Sequence, residues 1–443
     1  MADIEGLEAL QERAEVAVEL ARAAGAEHAW ASAQSSRSTQ CHIRDGVLER
    51  MQHSHSRRLS VDLYVDGRYF SHSTSDLRDE PLRDFMLEAV ALTRALQPDP
   101  YRALPDAALF EGRASVELDR IDPALARMDA DTRVAMGQAM NARIAGKPGV
   151  LSATSTVGDG RHGAAHASSN GFSGGEESTW VSLSAGVTLQ GEGDKRPEGD
   201  MGAAARHLAD LPDAAWMADE ALTRARARLG TIKGPTTTAT LVVDRMAAGR
   251  LLGALLGPAR GSAVQQGRSF WADRLGQALV SNALVLTDEP LLPRAMGSRL
   301  FDGEGLAAKP MTVIEGGALH RLYLDTYYAR KLGVPPTSGG SSNLVVRPGK
   351  GDLAKILADV GEGIYVTSWL GGNSDATSGE FSLGLRGHLV AKGKLGTPVG
   401  EMNVTGNLLE LFSRLTRVGG DPWTYGTLHT PTLVFEGVSF SGA

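Results

Sequence analysis

The strongest constraint on the fold is an alternation of polar and apolar residues over positions 27–76, which two Asp-Gly pairs interrupt. Alternation of this kind is typical of strands that bury one face. Asp45-Gly46 and Asp66-Gly67 each predict a hairpin turn, because glycine accepts the positive φ that a type I′ turn requires. The segment is therefore predicted to fold as an antiparallel meander.

A second alternating segment, residues 150–190, carries glycine-rich turns and predicts another meander. Apolar residues three and four positions apart predict helices around these strands. The predicted helices of the first half cover the opening 26 residues and positions 82–96, 131–145 and 210–229. Glycine and proline at positions 230–235 end the last of these helices and separate two predicted domains, residues 1–230 and 235–443.

Short strands punctuated by glycine dominate the second half. A strand at 238–243 and a helix at 245–256 open it, and further helices are predicted at 325–331, 351–357 and 407–415. The predicted fold class is therefore α+β. We expect an N-terminal α/β domain with an antiparallel meander and helices, and a C-terminal domain rich in antiparallel strands with inserted helices.

Charge and cysteine content exclude several classes of protein. Lys and Arg number 45 against 52 Asp and Glu, a formal net charge of -7, so no overall positive field attracts nucleic acid or anionic lipid. The sequence contains no run of 18 apolar residues, so no membrane span is predicted. Acidic residues near the start do not fit a secretory signal. The one cysteine, Cys41, permits no internal disulfide and no four-thiolate metal site. We therefore expect a soluble, cytoplasmic protein with no nucleic-acid or membrane partner.

Two glycine motifs match nucleotide-binding and hydrolase signatures but lack the context that these require. Residues 158–163 spell G-x-G-x-x-G, yet no helix pattern follows to receive a pyrophosphate. Residues 171–175 spell G-x-S-x-G around Ser173, yet the sequence continues like a strand. We interpret both as glycine-rich turns between strands.

Two pairs of histidines could bind a metal only if their side chains converged. His162 and His166 stand four residues apart, a zinc-binding spacing on a helix, but Gly163 and its neighbours argue against a helix. His53 and His55 could share one face of a strand, beside two arginines that favour an exposed polar face. We therefore predict turn or surface positions for both pairs.

Several blocks of the second half resemble the TldD/PmbA family, once called modulators of DNA gyrase. The blocks are FDGEG at 301–305, GALHRLYLDTYYARKLG at 317–333, SGGSSN at 338–343, GIYVT at 363–367, SGEFS at 378–382 and PVGEMNVTGNLL at 398–409. They span most of residues 235–443. The first half resembles the family less specifically, in the order of its elements and in STSD at 73–76.

The resemblance implies an intracellular two-subunit zinc metallopeptidase that acts on unfolded or modified peptides. In the family, the TldD subunit carries H-E-x-x-x-H on a helix and a cysteine near the C-terminus, which hold zinc and supply a base, whereas TldE or PmbA lacks them. At the matching helix this chain has Gly253, Ala254 and Pro258, and Tyr425 stands where the cysteine falls. None of the eleven histidines begins an H-E pair. We therefore expect no catalytic residue and no metal in this chain, and zinc in a partner.

The resulting prediction is a non-catalytic PmbA/TldE-like subunit that pairs with a TldD-like zinc subunit and presents an extended peptide to it. Strand edges in a shared cavity would pair with the backbone of any extended peptide. A glycine-rich loop is predicted to line this groove, because glycine permits close backbone approach, although an ordinary structural turn explains the same residues. The loop, called loop 338–343 below, comprises Ser338, Gly339, Gly340, Ser341, Ser342 and Asn343.

Two alternatives belong to other functional classes. An independent hydrolase would use Ser173 or a cluster of Asp325, Tyr327 and Arg330, and the purified chain would then be active alone. A homodimeric peptide-binding or assembly protein would have no peptidase partner. A neighbouring gene that encodes H-E-x-x-x-H would count against the homodimer.

Overall fold

The computed structural model describes residues 4–442, and the first half of the chain forms one six-stranded sheet. Its strands are β1 (His28–Arg44), β2 (Val47–Val65), β3 (Arg68–Thr74), β4 (Val150–Ser168), β5 (Ser173–Leu189) and β6 (Glu198–Ala205). They pair in the order β3-β2-β1-β4-β5-β6, and every pair is antiparallel. Both residues of the Asp45-Gly46 and Asp66-Gly67 turns have positive φ, which confirms the predicted hairpins.

Helices cover one face of this sheet, and each overlaps a predicted helix. They are α1 (Leu7–Ala23), α2 (Asp79–Arg94), α3 (Ala130–Ala142) and α4 (Ala214–Arg226). Residues of α1 and α2 share a core cluster with Ala31 of β1, and residues of α3 and α4 share one with Cys41 of the same strand. Ala31 and Cys41 are an even number of residues apart and so point to the same face. Trp30 points to the opposite face, where it packs against Phe301 of the second half.

The second half forms a seven-stranded and a five-stranded sheet with helices inserted between the strands. In chain order its elements are β7 (Ile232–Lys233), β8 (Thr237–Val243), α5 (Ala248–Leu256), α6 (Gly261–Gln265), β9 (Leu286–Asp288), β10 (Met311–Glu315), β11 (Ala318–Leu319), α7 (Thr326–Leu332), β12 (Leu344–Val346), α8 (Leu353–Val360), β13 (Gly363–Ser374), β14 (Glu380–Ala391), β15 (Lys394–Asn407), α9 (Leu408–Ser413), β16 (Leu415–Val418), β17 (Leu428–His429) and β18 (Leu433–Ser441). Short 3₁₀ turns lie at Ala107–Phe110, Leu125–Arg127, Leu208–Asp210 and Gly257–Ala259.

The pairing of these strands is mixed. The larger sheet has the order β16-β18-β8-β13-β14-β15-β7, and an additional pairing of β15 with β18 closes a circuit of strands. The smaller sheet has the order β11-β10-β9-β12-β17. Most pairs are antiparallel, whereas β8–β13, β7–β15 and β12–β17 are parallel. The predicted α+β class, with helices inserted among antiparallel strands, is confirmed.

The largest apolar core surrounds α5. Leu251, Leu252 and Leu255 of this helix are fully buried, and the burial of each contributes about 1.5–3 kcal/mol. Trp271 closes the core, and its indole N–H donates a hydrogen bond to the Leu255 carbonyl oxygen (2.8 Å). Within residues 4–442, no helix is long and apolar enough to cross a membrane.

Candidate functional site

Helix α5 lies where the family resemblance places the metal motif. Gly253 is on the exposed side of the helix, and a Cβ added there would meet nothing within 4 Å. Ala254 is half-buried. Pro258 is buried in the following 3₁₀ turn, and its carbonyl oxygen accepts a hydrogen bond from Ser269 Oγ (2.6 Å). None of the three positions carries a side chain that could ligate a metal.

Tyr425, at the place of the family's cysteine, packs against an aromatic neighbour. Its ring centroid lies 4.7 Å from that of Trp423, and both rings border the core cluster of α3 and α4. In the part of the chain that the structure describes, no three His, Cys, Asp or Glu side chains are placed to hold a metal ion. The side chains described at the matching helix and at Tyr425 therefore offer no ligand set for zinc.

Loop 338–343 borders a cavity of about 370 Å³. Ser338 and Ser342 of the loop line this cavity together with Asp288, Arg299 and Asp302. Hydroxyl, carboxylate and guanidinium groups thus face one space. This set of donors and acceptors can form hydrogen bonds with a peptide main chain.

Hydrogen bonds anchor the C-terminal end of the loop. The Asn343 amide donates to the Glu289 carbonyl oxygen (2.9 Å) and to Ser298 Oγ (3.0 Å). The Ser342 backbone N–H donates to both carboxylate oxygens of Asp288, at 3.0 and 3.1 Å. Because Asn343 is fully buried by these contacts, it supports the loop from behind instead of lining the cavity.

The N-terminal end of the loop is more open. Ser338 Oγ donates to Asp302 Oδ2 (3.2 Å), and Arg299 donates to Ser338 Oγ (3.1 Å). Neither Gly339 nor Gly340 has a positive φ. A Cβ at Gly340 would meet nothing within 4 Å, and one at Gly339 would make an ordinary contact of 3.5 Å. The backbone therefore does not require glycine here, and the space beside Gly340 is free.

Asp288 and Arg299 line the same cavity. The Tyr323 hydroxyl donates to Asp288 Oδ2 (2.9 Å). Burial and the Asp288 charge raise the pKa of Tyr323 far above its usual value, so the hydroxyl stays a donor. Neither Asp288 nor Arg299 lies in a motif that the sequence singles out. Asp302 could have been found, because it lies within the FDGEG block.

The alternative cluster of Asp325, Tyr327 and Arg330 is engaged in structural contacts at α7. Asp325 caps the N-terminus of the helix by accepting a backbone hydrogen bond (2.7 Å). Tyr327 donates to Asp99 Oδ2 (2.7 Å), and Arg330 donates to three carbonyl oxygens in segment 101–104. All three side chains therefore hold α7 in place, and the Tyr327 and Arg330 contacts join it to the first half of the chain.

The first glycine motif lies on β4, and the second spans the end of the following turn and the start of β5. Ser173 begins β5 and is exposed, and its hydroxyl contacts Glu15 (3.4 Å) instead of a histidine. Residues 158–163 lie inside β4, so their assignment to a turn is wrong, and the chain turns at 169–172 instead. A Cβ at position 160 would clash with Trp180, so glycine is needed there for packing. No helix follows either motif, as predicted.

His162 and His166 are not surface residues. Both are half-buried on β4, and burial lowers the pKa of each. The His166 ring packs edge-on against Phe301, with 5.9 Å between ring centroids. The predicted turn or surface position is therefore wrong for this pair, because the second half of the chain covers their face of the sheet. His53 and His55 are exposed on β2, as predicted.

Comparison with protein-family models matches most of the chain. Residues 31–93 match the PmbA/TldA metallopeptidase domain 1, residues 123–229 the PmbA/TldA metallopeptidase central domain, and residues 236–442 the PmbA/TldA metallopeptidase C-terminal domain. The chain is also 27% identical over 402 residues to Metalloprotease PmbA of Escherichia coli O157:H7. That similarity covers 90% of this chain and 89% of the relative.

Solved structures have the same fold. A Bacteroides thetaiotaomicron protein described as a candidate modulator of DNA gyrase is 38% identical, with a TM-score of 0.95, over 98% of this chain and 99% of that chain. TldE from Thermococcus kodakarensis is 17% identical, with a TM-score of 0.83, over 97% of this chain and 100% of that chain. At 17% identity, the similarity to TldE shows a common fold and nothing more.

Proposed function

Because this chain belongs to the PmbA/TldD metallopeptidase family, we propose that it is a non-catalytic, PmbA/TldE-like subunit of a zinc metallopeptidase complex. The complex would cleave unfolded or modified peptides, with zinc held by a TldD-like partner subunit. This chain would close a shared cavity and hold the extended peptide. The family matches establish membership, and the division of labour between two chains is our proposal.

The observation that carries the proposal is the set of side chains at α5. Gly253, Ala254 and Pro258 offer neither the imidazoles nor the carboxylate of the family motif, and Tyr425 replaces the thiolate. A zinc peptidase needs about three protein ligands and a base beside the bound water. Loss of all these groups together supports a subunit that leaves the metal chemistry to another chain.

The cavity beside loop 338–343 supports a role in holding peptide. Ser338, Asp302 and Arg299 offer hydrogen-bond donors and acceptors, and Gly340 leaves space for an approaching backbone. Recognition through the main chain would tolerate many peptide sequences and reject folded proteins.

Metal content and peptide cleavage test the proposal. The purified chain, dialysed against a weak chelator, is expected to hold far less than one zinc ion and to cleave no unfolded model peptide. Mixed with a TldD-like protein that carries H-E-x-x-x-H, it is expected to co-purify with that protein, and the mixture is expected to cleave the peptide. A partner whose motif glutamate is replaced by glutamine is the matched control, and it should still co-purify without cleavage.

Three outcomes would contradict this function. About one zinc ion per chain after dialysis would indicate a metal site that the side chains do not suggest. Cleavage by the chain alone, insensitive to chelator, would favour an independent hydrolase. A homodimer that does not bind the TldD-like protein would favour the interpretation as an assembly protein.

A further inference from the structure

A second cavity, of about 290 Å³, lies where the first half of the chain meets the seven-stranded sheet. The segment that leads into β6 and the residues that follow α4 line it from one side, and β13, β14 and β15 line it from the other. It shares Arg228, Thr367 and His388 with a neighbouring cavity of about 470 Å³, so the two spaces adjoin. Loop 338–343 borders neither of them.

All three strands that line this cavity are irregular at the lining residues. On β13 the ladder passes from Val366 to Ser368 and leaves out Thr367. Between β14 and β15 the register shifts around Arg386, and Glu401 opposite has a left-handed backbone with φ of 49°. A bulge redirects side chains away from the regular alternation, and bulges are frequent beside functional sites. The concave wall is therefore built by local deformations of three adjacent strands.

Positive charge exceeds negative charge around this space, which we call the basic cavity. Its charged lining consists of Lys195, Arg196, Arg228 and Arg386 against Glu198 and Glu401. The excess contrasts with the formal net charge of -7 for the whole chain. A concave site with excess positive charge raises the local concentration of anions.

Two of these cations have no acidic partner in contact. Among residues 4–442, neither Arg228 nor Arg386 takes part in an ion pair within 4 Å. Arg228 instead donates to the carbonyl oxygen of Glu198 and lies 3.5 Å from Ser368 Oγ, both uncharged acceptors. Burial and the charge of Arg386 lower the pKa of Arg228, and the carboxylates of Asp200 and Glu198, which lie beyond ion-pair distance, only partly oppose this shift. The two guanidinium groups thus lie near each other, and within residues 4–442 no carboxylate is within ion-pair distance of either.

We propose that the basic cavity binds an oxyanion, a carboxylate or a phosphate group, between Arg228 and Arg386. Guanidinium groups bind these anions through paired, charge-assisted hydrogen bonds. The lining of the adjoining cavity combines charged residues of both signs with the apolar side chains of Leu353 and Leu395, and the apolar part of the ligand would lie against these two leucines. The oxyanion would belong to a small phosphorylated molecule or to the free C-terminus of a peptide. This inference does not depend on the subunit role proposed above.

Calorimetric titration of the full chain with inorganic phosphate tests the site, with ionic strength held constant by sodium chloride. Arg386→Gln and Arg228→Gln are each expected to weaken phosphate binding at least about tenfold, because each removes a charge-assisted interaction. Arg226→Gln is the matched control. Arg226 is exposed at the end of α4 and does not line the cavity, so its replacement should leave the affinity unchanged.

Arg386→Gln is the decisive variant, since Arg386 is exposed and its replacement should leave the melting temperature unchanged. Arg228 also bonds to the backbone of Glu198, so its replacement must first be checked for folding. Phosphate binding that Arg386→Gln leaves unchanged would overturn the proposal.

A pair of unfolded peptides separates the two sources of the anion, one with a free C-terminal carboxylate and one with an amidated C-terminus. Binding that amidation abolishes, and that Arg386→Gln weakens, would assign the cavity to a peptide C-terminus. Phosphate binding with no difference between the peptides would assign it to a small phosphorylated ligand. If neither phosphate nor the free-acid peptide binds in a manner that depends on Arg386, the proposal is wrong.

Discussion

Arg133 and Asp159 form a two-pronged ion pair inside the first half of the chain. Arg133 Nε and Nη2 donate to Asp159 Oδ1 (2.6 Å) and Oδ2 (2.9 Å), and both side chains are buried. Arg143 and Asp219 make the same contact at the surface, with side chains 49% and 44% exposed. Water can solvate a charge left alone at the surface but not one left alone in the interior. Loss of one partner is therefore expected to lower the free energy of unfolding more for the buried pair than for the exposed pair.

Replacement of one carboxylate in each pair measures this difference. Asp159→Asn is expected to lower the free energy of unfolding by about 3–5 kcal/mol, because it leaves the Arg133 charge buried and uncompensated. Asp219→Asn, the matched control, is expected to lower it by less than about 1 kcal/mol. Urea denaturation followed by circular dichroism gives both values. Equal effects in the two variants would contradict the argument.

The half-buried His166 is expected to make stability depend on pH. Burial lowers its pKa from the ordinary value of 6.5, which the unfolded chain retains. Below about pH 6.5 the unfolded state therefore binds the proton more readily, so stability that is present above this pH is lost as the pH falls.

His166→Gln removes the titrating group, so the variant is expected to lose less unfolding free energy than the wild type between about pH 7 and about pH 5. His53→Gln, at an exposed position on β2, is the matched control for the replacement of one histidine. Urea denaturation at several pH values measures the slopes. Identical slopes in all three proteins would show that His166 is not responsible.

Local sequence patterns identify an element well when the element carries its own signal. The Asp45-Gly46 turn and the apolar spacing of α2 are signals of this kind. The parallel pairing of β8 with β13 places Leu241 opposite Ile364, a contact that neither strand encodes locally. The basic cavity likewise joins the bulges of β13, β14 and β15 to Arg228 and other residues of the first half of the chain, so it could not be predicted from local patterns.

Loop 338–343 has features that the sequence predicts and features that it does not. Its glycines and hydroxyl groups correctly indicated an irregular backbone, and Ser338 and Ser342 line a cavity. The anchoring of Asn343 was not predictable, because its partners Glu289 and Ser298 lie in another segment. Sequence alone therefore found the loop but not which side of it faces open space.

Added bulk at Gly340 tests whether this loop lies beside bound peptide. Gly340→Val is expected to reduce peptide cleavage by the reconstituted complex, while the variant still co-purifies with its partner and melts within a few degrees of the wild type. Stability should persist because φ is not positive and no atom lies within 4 Å of the added Cβ. Gly340→Ala, with less bulk, should have a smaller effect. Full activity of the valine variant would discard the groove, and equal loss of stability and activity would indicate a structural turn.

Side chains from both halves of the chain meet over one face of the first sheet. The Arg102 guanidinium lies between the rings of Tyr69 and Tyr327, at 4.4 and 3.6 Å from their centroids. Phe301 packs edge-on against Phe172, with 5.2 Å between centroids. Each cation–π contact contributes about 0.5–1 kcal/mol at a partly exposed site. The contact between the two halves thus depends on many small contributions. Arg102 and Tyr327 are more than two hundred positions apart in the sequence, so local sequence patterns could not predict that they meet.

Arg330 tests how the two halves are held together. It donates hydrogen bonds to the carbonyl oxygens of residues 101, 103 and 104, so Arg330→Ala deprives all three of this donor. We expect amide hydrogen exchange in segment 99–104 to quicken at least about tenfold, since local opening requires fewer contacts to break. Strands β8 and β13, which lie in a separate core, should keep their protection.

Arg260→Ala, at an exposed position of the same half, is the control and should change the exchange rates of neither region. Unchanged exchange in segment 99–104 would mean that Tyr327 and its neighbours hold the junction without Arg330, whereas faster exchange throughout the chain would mean that the two halves unfold as one cooperative unit.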